Sequence, residues 1–230
     1  MKNSIRPLKT AIAAFAALSL LSTANAAIVS VTDGNGNTFG DTGGFAIDFD
    51  ATTGLTADWL PDLSTSQLYS IDSVTVFQGS IGNTTDTVRL GVYTTLIGTV
   101  LSGFQGVSTN TINLAGVVES DPLNFSFSGI NVTPQTDPGS GTDIRYFIFQ
   151  TGTTALTSVD GQSTRVPVRR IDAENGAFGD ELSGIIRSDA GGAQLNRSPE
   201  YSATITAVPE PSTLGLLCIA GAAIAARRRR

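Results

Sequence analysis

The residues best suited to chemistry in this sequence are carboxylates that lie around its single tryptophan, Trp59. Four of them are close to it along the chain: Asp48, Asp50, Asp58 and Asp62. A pair of carboxylates can act as the acid and base of a glycosidase, and an indole ring can stack on a sugar. Because Leu and Pro follow Trp59 directly, a core side chain ahead of a turn is an equally good interpretation.

A second stretch has oxygen-bearing side chains at alternating positions among glycines: Asp33, Asn35, Asn37 and Asp41. Calcium takes six to eight oxygen ligands, and a loop of this kind can wrap such an ion. The stretch departs from an EF-hand loop, since its sixth position is Thr38 and its twelfth is Gly44. Asp-Gly and Asn-Gly are also the preferred pairs of tight hairpin turns, and we favour a turn over a calcium site.

Several kinds of catalytic site are excluded by what the sequence lacks. It contains no histidine, which removes Ser-His-Asp arrangements and the usual zinc ligand. It also has no Gly-x-Ser-x-Gly elbow, phosphate loop or dinucleotide fingerprint. We therefore expect a protein that is not an enzyme, with no cofactor other than the calcium ion considered above.

The elements that must position these residues are β-strands. Apolar and polar residues alternate in short runs separated by Gly, Asn, Asp, Thr and Ser, and helical spacing is absent from the body of the chain. The clearest runs are Ile28 to Thr32, Tyr69 to Phe77, Val88 to Val92, Phe125 to Phe127, Ile144 to Gln150, Val166 to Ile171 and Tyr201 to Thr206. These runs predict an all-β fold: a single antiparallel sandwich, like a jelly roll of about eight strands. We expect Asn131 to Pro134 to be a surface loop, and the Gly-rich residues 173–196 to be a lid or an insertion near one end of the sandwich.

The N-terminus has the three parts of a secretory signal peptide. Lys2, Arg6 and Lys9 form a basic region, and an apolar run from Ala11 to Leu21 follows. Small residues then occupy both positions that a signal peptidase inspects, Ala24 and Ala26, which predicts cleavage before Ala27. The sequence therefore divides into a signal peptide (1–26), one β-sandwich domain (27–207) and a C-terminal tail (208–230).

The body of the chain is strongly acidic. Of the 14 Lys and Arg residues, three lie in the basic region and four at the C-terminus, which leaves seven arginines against 20 acidic residues. A net charge of about −13 repels nucleic acid, so we expect no nucleic-acid partner. The only cysteine, Cys218, lies in the tail, so the domain has no disulfide and must gain its stability from burial.

The tail consists of three blocks in a fixed order. The triplet Pro209, Glu210 and Pro211 comes first, an uncharged run from Ser212 to Ala226 follows, and the chain closes on Arg227, Arg228, Arg229 and Arg230. The run is shorter than the roughly 20 residues that span a bilayer, but thinning or snorkelling arginines can make up the difference. Arginines beside such a segment stay cytoplasmic, which puts the triplet outside. The tail is thus a transient membrane anchor; an uncut anchor is the alternative.

These three blocks resemble the PEP-CTERM sorting tail of exported bacterial surface proteins, in which Pro209 to Pro211 match the recognition triplet and the arginines match the basic stop. The resemblance implies processing by a membrane protease-transpeptidase called exosortase, in a Gram-negative bacterium that makes extracellular polysaccharide. Tails of this kind are also labelled ice-binding protein C-terminal domains, but that label describes a sorting signal. The tail is therefore expected to form a short hydrophobic helix that is removed near the triplet.

Two functions remain open for the domain. The first is a non-catalytic protein of the outer cell surface or extracellular matrix, anchored in the inner membrane before processing and associated with polysaccharide. The second is a secreted hydrolase that uses carboxylates on polysaccharide. Under either function, we expect signal peptidase and exosortase to process the protein.

Overall fold

The computed structural model describes residues 26–31, 37–38, 42–47, 49, 63–79, 86–134, 144–160, 162–172, 183–187, 192–194 and 197–209. Within these ranges the chain forms strands, turns and bends, and no helix is long and apolar enough to cross a membrane. The strands, in chain order, are β1 (Ala26–Val31), β2 (Asn37–Thr38), β3 (Gly44–Ile47), β4 (Tyr69–Phe77), β5 (Thr87–Ile97), β6 (Val100–Val107), β7 (Ile112–Asn113), β8 (Pro122–Ser126), β9 (Asn131–Val132), β10 (Arg145–Gln150), β11 (Arg169–Asp172), β12 (Ser183–Arg187), β13 (Gly192–Gln194), β14 (Arg197–Pro199) and β15 (Tyr201–Ala207).

Two antiparallel sheets carry most of these strands. The first has five strands in the order β1-β15-β4-β8, with β9 also paired to β4. The second has seven strands in the order β13-β12-β3-β10-β5-β6, with β7 also paired to β5. A smaller sheet, β14-β11-β2, completes the described strands, all of which lie in one compact unit, Ala26–Ala207.

One apolar core takes side chains from both large sheets. The predicted alternation is confirmed in β4 and β5, where Val74, Val76 and Leu90 are fully buried. Phe125 on the five-stranded sheet lies 6.1 Å, between ring centroids, from Phe149 on the seven-stranded sheet. Aromatic rings at this separation add to the stability that burial alone provides. The described part of the domain is therefore held together by two sheet faces that meet in a shared core.

A second, smaller apolar cluster lies on the other face of the seven-stranded sheet. Its buried members are Tyr93, Leu101, Ile148, Val159 and Ile186. The cover is supplied by residues 151–160 and 162–163, which we call the strap. The strap is hydrogen-bonded to the end of β6, where Leu101 N–H donates to Thr157 O at 3.0 Å. The seven-stranded sheet is thus covered on both faces along part of its width.

Several sequence predictions are wrong in detail. Asn131–Val132 is a strand rather than a surface loop, because the flanking Ile130 and the strand's own Val132 are buried. The predicted insertion at 173–196 contains β12 and β13, and β12 pairs with β3 in the seven-stranded sheet. Strands β3 and β6 were not predicted, because all four residues of β3 are buried without alternation and glycines interrupt the alternation of β6. In β6 the cause is visible at Gly103, whose φ is 66° and where a Cβ would overlap the Thr94 side chain.

Candidate functional site

The tail leaves the domain directly after an internal strand. β15 lies between β1 and β4 and ends at Ala207. Val208 is half-buried and Pro209 is exposed, so the first residue of the Pro-Glu-Pro triplet stands outside the core. Proline lacks an N–H and cannot extend the strand ladder, which explains why pairing stops here. Glu210, Pro211 and the four terminal arginines lie outside the described residues.

The predicted signal-cleavage point lies beside the last residues of β15. Ala26 is the first residue of β1, and its partner in the antiparallel ladder is Thr206 on β15. Ala27 in turn faces Ile205. The predicted signal cleavage, before Ala27, is therefore only a strand spacing away from the end of β15. Ala24 lies outside the described residues.

The remaining predicted sites fall largely beyond the described ranges. Asp33, Asn35 and Asp41, and the carboxylates around Trp59 together with Trp59 itself, are not among the described residues. Asn37 opens β2, where its ladder partner is Arg170 on β11. Among the described residues, no group of three or more His, Cys, Asp or Glu side chains could hold a metal ion. The calcium site remains a prediction.

Tyrosines that could have formed a sugar platform serve the core instead. Tyr93 and Tyr201 are fully buried, and Tyr69 is 8% exposed. Tyr146 is half-buried beside the smaller apolar cluster. Stacking on a ligand needs an exposed ring face, so Tyr69, Tyr93 and Tyr201 are unavailable for it.

On the outer face of the five-stranded sheet, β15, β4 and β8 present two rows of small polar side chains, which we call the hydroxyl face; Ile28 on β1 lies beside one of them. Buried and half-buried residues alternate along β4 and β15, and the buried ones point into the core. The residues between them point outward, in register across β15, β4 and β8: Ser202 with Thr75 and Asn124, and Thr204 with Ser73 and Ser126. None of these side chains is charged. The sequence signal was present in the alternation Ser202-Ala-Thr-Ile-Thr206, but sequence reasoning did not assign it a role.

One carboxylate joins this face at its edge. The Thr206 hydroxyl donates a hydrogen bond to the Asp72 carboxylate where β4 changes register against β15. Neighbouring rows along a strand are about 6.8 Å apart and neighbouring strands about 4.8 Å apart. Hydroxyls both donate and accept hydrogen bonds, and the amide of Asn124 does so through separate atoms. The hydroxyl face can therefore hydrogen-bond an uncharged, polyhydroxylated surface without requiring ion pairs.

The charged pair nearest the small sheet is structural in character. Arg169 Nε lies 3.1 Å from Glu200 Oε2, with side-chain exposures of 18% and 8%. Arg169 also donates to the Ser120 hydroxyl at 3.0 Å, and Ser120 has a φ of 74°. The ion pair joins β11 to the residue that directly precedes β15. Because the Arg169 guanidinium is occupied in this way, the pair does not resemble an open anion site.

A buried hydroxyl network fixes the strap. Leu156 N–H donates to the Tyr93 hydroxyl at 2.7 Å, and Tyr93 donates to Gln150 Oε1 at 3.1 Å. Gln150 Nε2 donates to Gly152 O at 2.8 Å. Burial raises the pKa of Tyr93 above its ordinary 10.0, and the bond from Leu156 acts in the opposite direction. The phenol therefore stays protonated at neutral pH and acts as a bridge.

Comparison with known proteins concerns the tail. No curated protein and no solved structure matches the chain. One family model does match, the PEP-CTERM protein-sorting motif, at residues 207–230. The motif implies export through membrane-associated sorting in a Gram-negative bacterium and processing by an exosortase. The chain therefore carries, directly after β15, the C-terminal tail of an exosortase-sorted protein.

Proposed function

We propose that this protein is a non-catalytic component of the outer cell surface or extracellular matrix, released from a transient membrane anchor by exosortase. The observation that carries the proposal is the position of the sorting triplet. Pro209 is exposed and lies two residues beyond the last strand, next in the sequence to Glu210 and Pro211. A processing enzyme needs an extended segment clear of the fold, and this placement supplies one.

We also propose that the exported domain is a jelly roll. In that fold a long antiparallel ribbon is rolled up, so the first principal strand pairs with the last, the second with the next to last, and so on. The pairs β1–β15, β3–β10, β4–β8 and β5–β6 nest in this way. The added strand β12 extends the seven-stranded sheet beyond β3. This nesting supports the jelly roll over a simple meander.

The hydroxyl face is the proposed polysaccharide contact. It offers donors and acceptors on a pleated surface, while the acidic body disfavours anionic polymers. We therefore expect the bound polymer to be uncharged. No observation favours the hydrolase alternative, whose carboxylates Asp48, Asp50, Asp58 and Asp62 lie outside the described residues.

Processing is tested by changing the triplet. In the native host, Pro209→Ala together with Pro211→Ala should leave a chain that still carries its tail in the membrane fraction, because prolines favour the extended backbone that a processing enzyme needs. Matched changes in the domain, such as Thr95→Ala, should leave processing intact. Wild-type processing in a strain without exosortase would overturn this part of the proposal.

Polysaccharide binding is tested with the processed protein purified from the cell surface and applied to a glycan array. Thr75→Val combined with Thr204→Val removes two hydroxyls from the hydroxyl face and keeps the shape of the side chains. Thr95→Val, on the seven-stranded sheet, is the matched control. We expect the double variant to lose binding to uncharged glycans and the control to keep it. Release of reducing ends during incubation would favour the hydrolase instead.

A further inference from the structure

Both termini of the domain leave from one end of the five-stranded sheet, which we call the exit end. Ala26 pairs with Thr206, Thr206 pairs with Ser70, and Ser70 pairs with Asn131. These four residues form a row across β1, β15, β4 and β9. The chain therefore runs toward the sorting triplet from this row.

The seven-stranded sheet is aligned with the exit end through a direct contact. Arg145 Nη2 donates to Asn131 O at 3.0 Å, so the first residue of β10 lies beside the row just described. β5 runs antiparallel to β10, with Tyr93 opposite Tyr146. The next residue of β5 after Tyr93 lies opposite Arg145. Ile97 is three residues further along β5, which at 3.3 Å per residue puts it about 10 Å beyond Arg145. The tip of the β5–β6 hairpin therefore lies at the exit end, where the strap is bonded to it through Val159 N–H and Thr99 O at 2.8 Å.

The tip of this hairpin is apolar and exposed. Ile97 is 73% exposed, and its ladder partner Val100 is 59% exposed. Gly98, with a φ of 60°, closes the two-residue loop between them. Two more large apolar side chains, Ile28 and Leu68, are exposed near the exit end, on β1 and just before β4. Single exposed apolar residues need no explanation, but their concentration at one end does.

The hairpin itself carries no charged side chain. No Asp, Glu, Lys or Arg occurs from Leu90 to Val118, which includes the whole hairpin. The rest of the body carries the acidic excess. An anionic lipid surface repels acidic protein, so the hairpin is the part of this sheet that could approach such a surface at the lowest electrostatic cost.

The tail sets how far this end can be from a membrane. Four residues, Val208 to Pro211, separate Ala207 from the uncharged run that begins at Ser212. Fully extended, four residues span about 14 Å. The headgroup layer on one side of a bilayer is about 5 to 8 Å thick. A chain anchored by its tail therefore holds the exit end close to the lipid surface.

We propose that the exit end is a membrane-facing surface, and that the hairpin tip at Ile97 and Val100 enters the bilayer interface before the tail is cut. The inference rests on the proposed function, because it requires the tail to be anchored. Apolar side chains presented without charge are the kind that partition into the headgroup–acyl boundary. Cleavage removes the tether and leaves contacts too weak to hold the domain on the membrane.

The test uses the full chain, inserted in vesicles of phosphatidylethanolamine and phosphatidylglycerol that contain spin-labelled lipid. Cys218→Ser removes the only cysteine. Ile97→Cys then places a fluorophore at the hairpin tip. Val118→Cys is the matched control, because Val118 is also exposed. It is hydrogen-bonded to Asp121, which in turn bonds Gln78, the residue after the end of β4 that is farther from the exit end.

We expect quenching at position 97 to be at least about twofold that at position 118, since interfacial insertion reaches only about 5 to 10 Å. Adding Val100→Asp to the Ile97→Cys chain should lower quenching to the level of the control. Equal quenching at both positions, with the chain resisting carbonate extraction, would overturn this inference alone. Extraction of the chain by carbonate would overturn the anchoring on which the proposed function also depends.

Discussion

The Tyr93 hydroxyl on β5 lies 3.1 Å from Gln150 Oε1 on the neighbouring strand β10, and both side chains are buried. Gly91, two residues before Tyr93, leaves the space that Gln150 occupies. A Cβ at position 91 would overlap Gln150 Oε1. The strap is thus fixed by a polar bridge that depends on a glycine without a side chain.

Gly91→Ala should destabilise the domain by about 1 to 3 kcal/mol, because Gln150 must leave its hydrogen bonds or the strands must shift. Thermal or urea unfolding measures this change. In a Gln150→Ala background the same substitution should cost clearly less, since the overlapping atom is gone. Gly152→Ala is the control, because the nearest atom to its Cβ would be 3.9 Å away. An equal cost with and without Gln150 would contradict the overlap.

Tyr93→Phe should destabilise the domain by about 1 to 3 kcal/mol, because Leu156 N–H and Gln150 Oε1 lose a partner inside the protein. Amide hydrogen exchange should accelerate in residues 151–163 more than in β4. Uniform acceleration across both regions would show that the hydroxyl does not act on the strap in particular.

Alkaline pH should weaken the fold through the same residue. The raised pKa of Tyr93 means that the folded state keeps its proton at pH values where the unfolded state has lost it. The stability from this group is therefore fully present below pH 10 and is lost as pH rises through the folded pKa. From pH 9 upward, the free energy of unfolding should fall less steeply with pH for Tyr93→Phe than for the wild type. Identical slopes would exclude Tyr93 as the source.

The Arg169–Glu200 pair should behave as a largely shielded contact. Glu200→Gln keeps the shape but removes the charge, and we expect a loss of about 1 to 3 kcal/mol because Arg169 stays charged in a partly desolvated place. Raising the salt concentration to 0.5 M should change the wild-type stability little, since screening acts mainly on exposed pairs. A strong salt dependence that disappears in Glu200→Gln would show that the pair is solvated.

At the edge of β8 away from β4, the Asn110 side chain makes hydrogen bonds that a neighbouring strand would otherwise make. It donates to Asn124 O and accepts from Ser126 N–H, both at 2.8 Å. Asn110→Ala should lose about 1 kcal/mol and self-associate more at high concentration, because an open edge invites pairing. Asn110→Asp keeps one of the two hydrogen bonds, so its stability and its self-association should lie between those of the wild type and Asn110→Ala. Light scattering that ranks Asn110→Asp as the more aggregating variant would contradict this order.

The sequence predicted strands best where apolar residues recur at every second position. β4, β5 and β10 were recognised because their core side chains, such as Val74, Leu90 and Phe147, stand at every second position. β6 was not recognised, because Gly103 and Gly106, which have positive φ values, interrupt its alternation of apolar and polar residues. The pairing of Ala26 with Thr206 joins opposite ends of the chain, and no local pattern encodes it.

The sorting tail was readable because its recognition depends on residue types in order along the chain: proline, acid, apolar run and arginines. The hydroxyl face was harder to recognise, since Thr75 and Ser202 are ordinary strand residues until sheet pairing puts them side by side. Sites made by register therefore need the topology first.

The most direct test of the account is the mass of the protein recovered from the surface of the native host, measured with and without its exosortase. We predict that the wild-type chain begins at Ala27 and ends near the Pro209–Pro211 triplet. Without exosortase, the chain should begin at Ala27 and continue to Arg230 in the membrane fraction. An intact chain from Met1 to Arg230 in the cytosol of both strains would contradict the account.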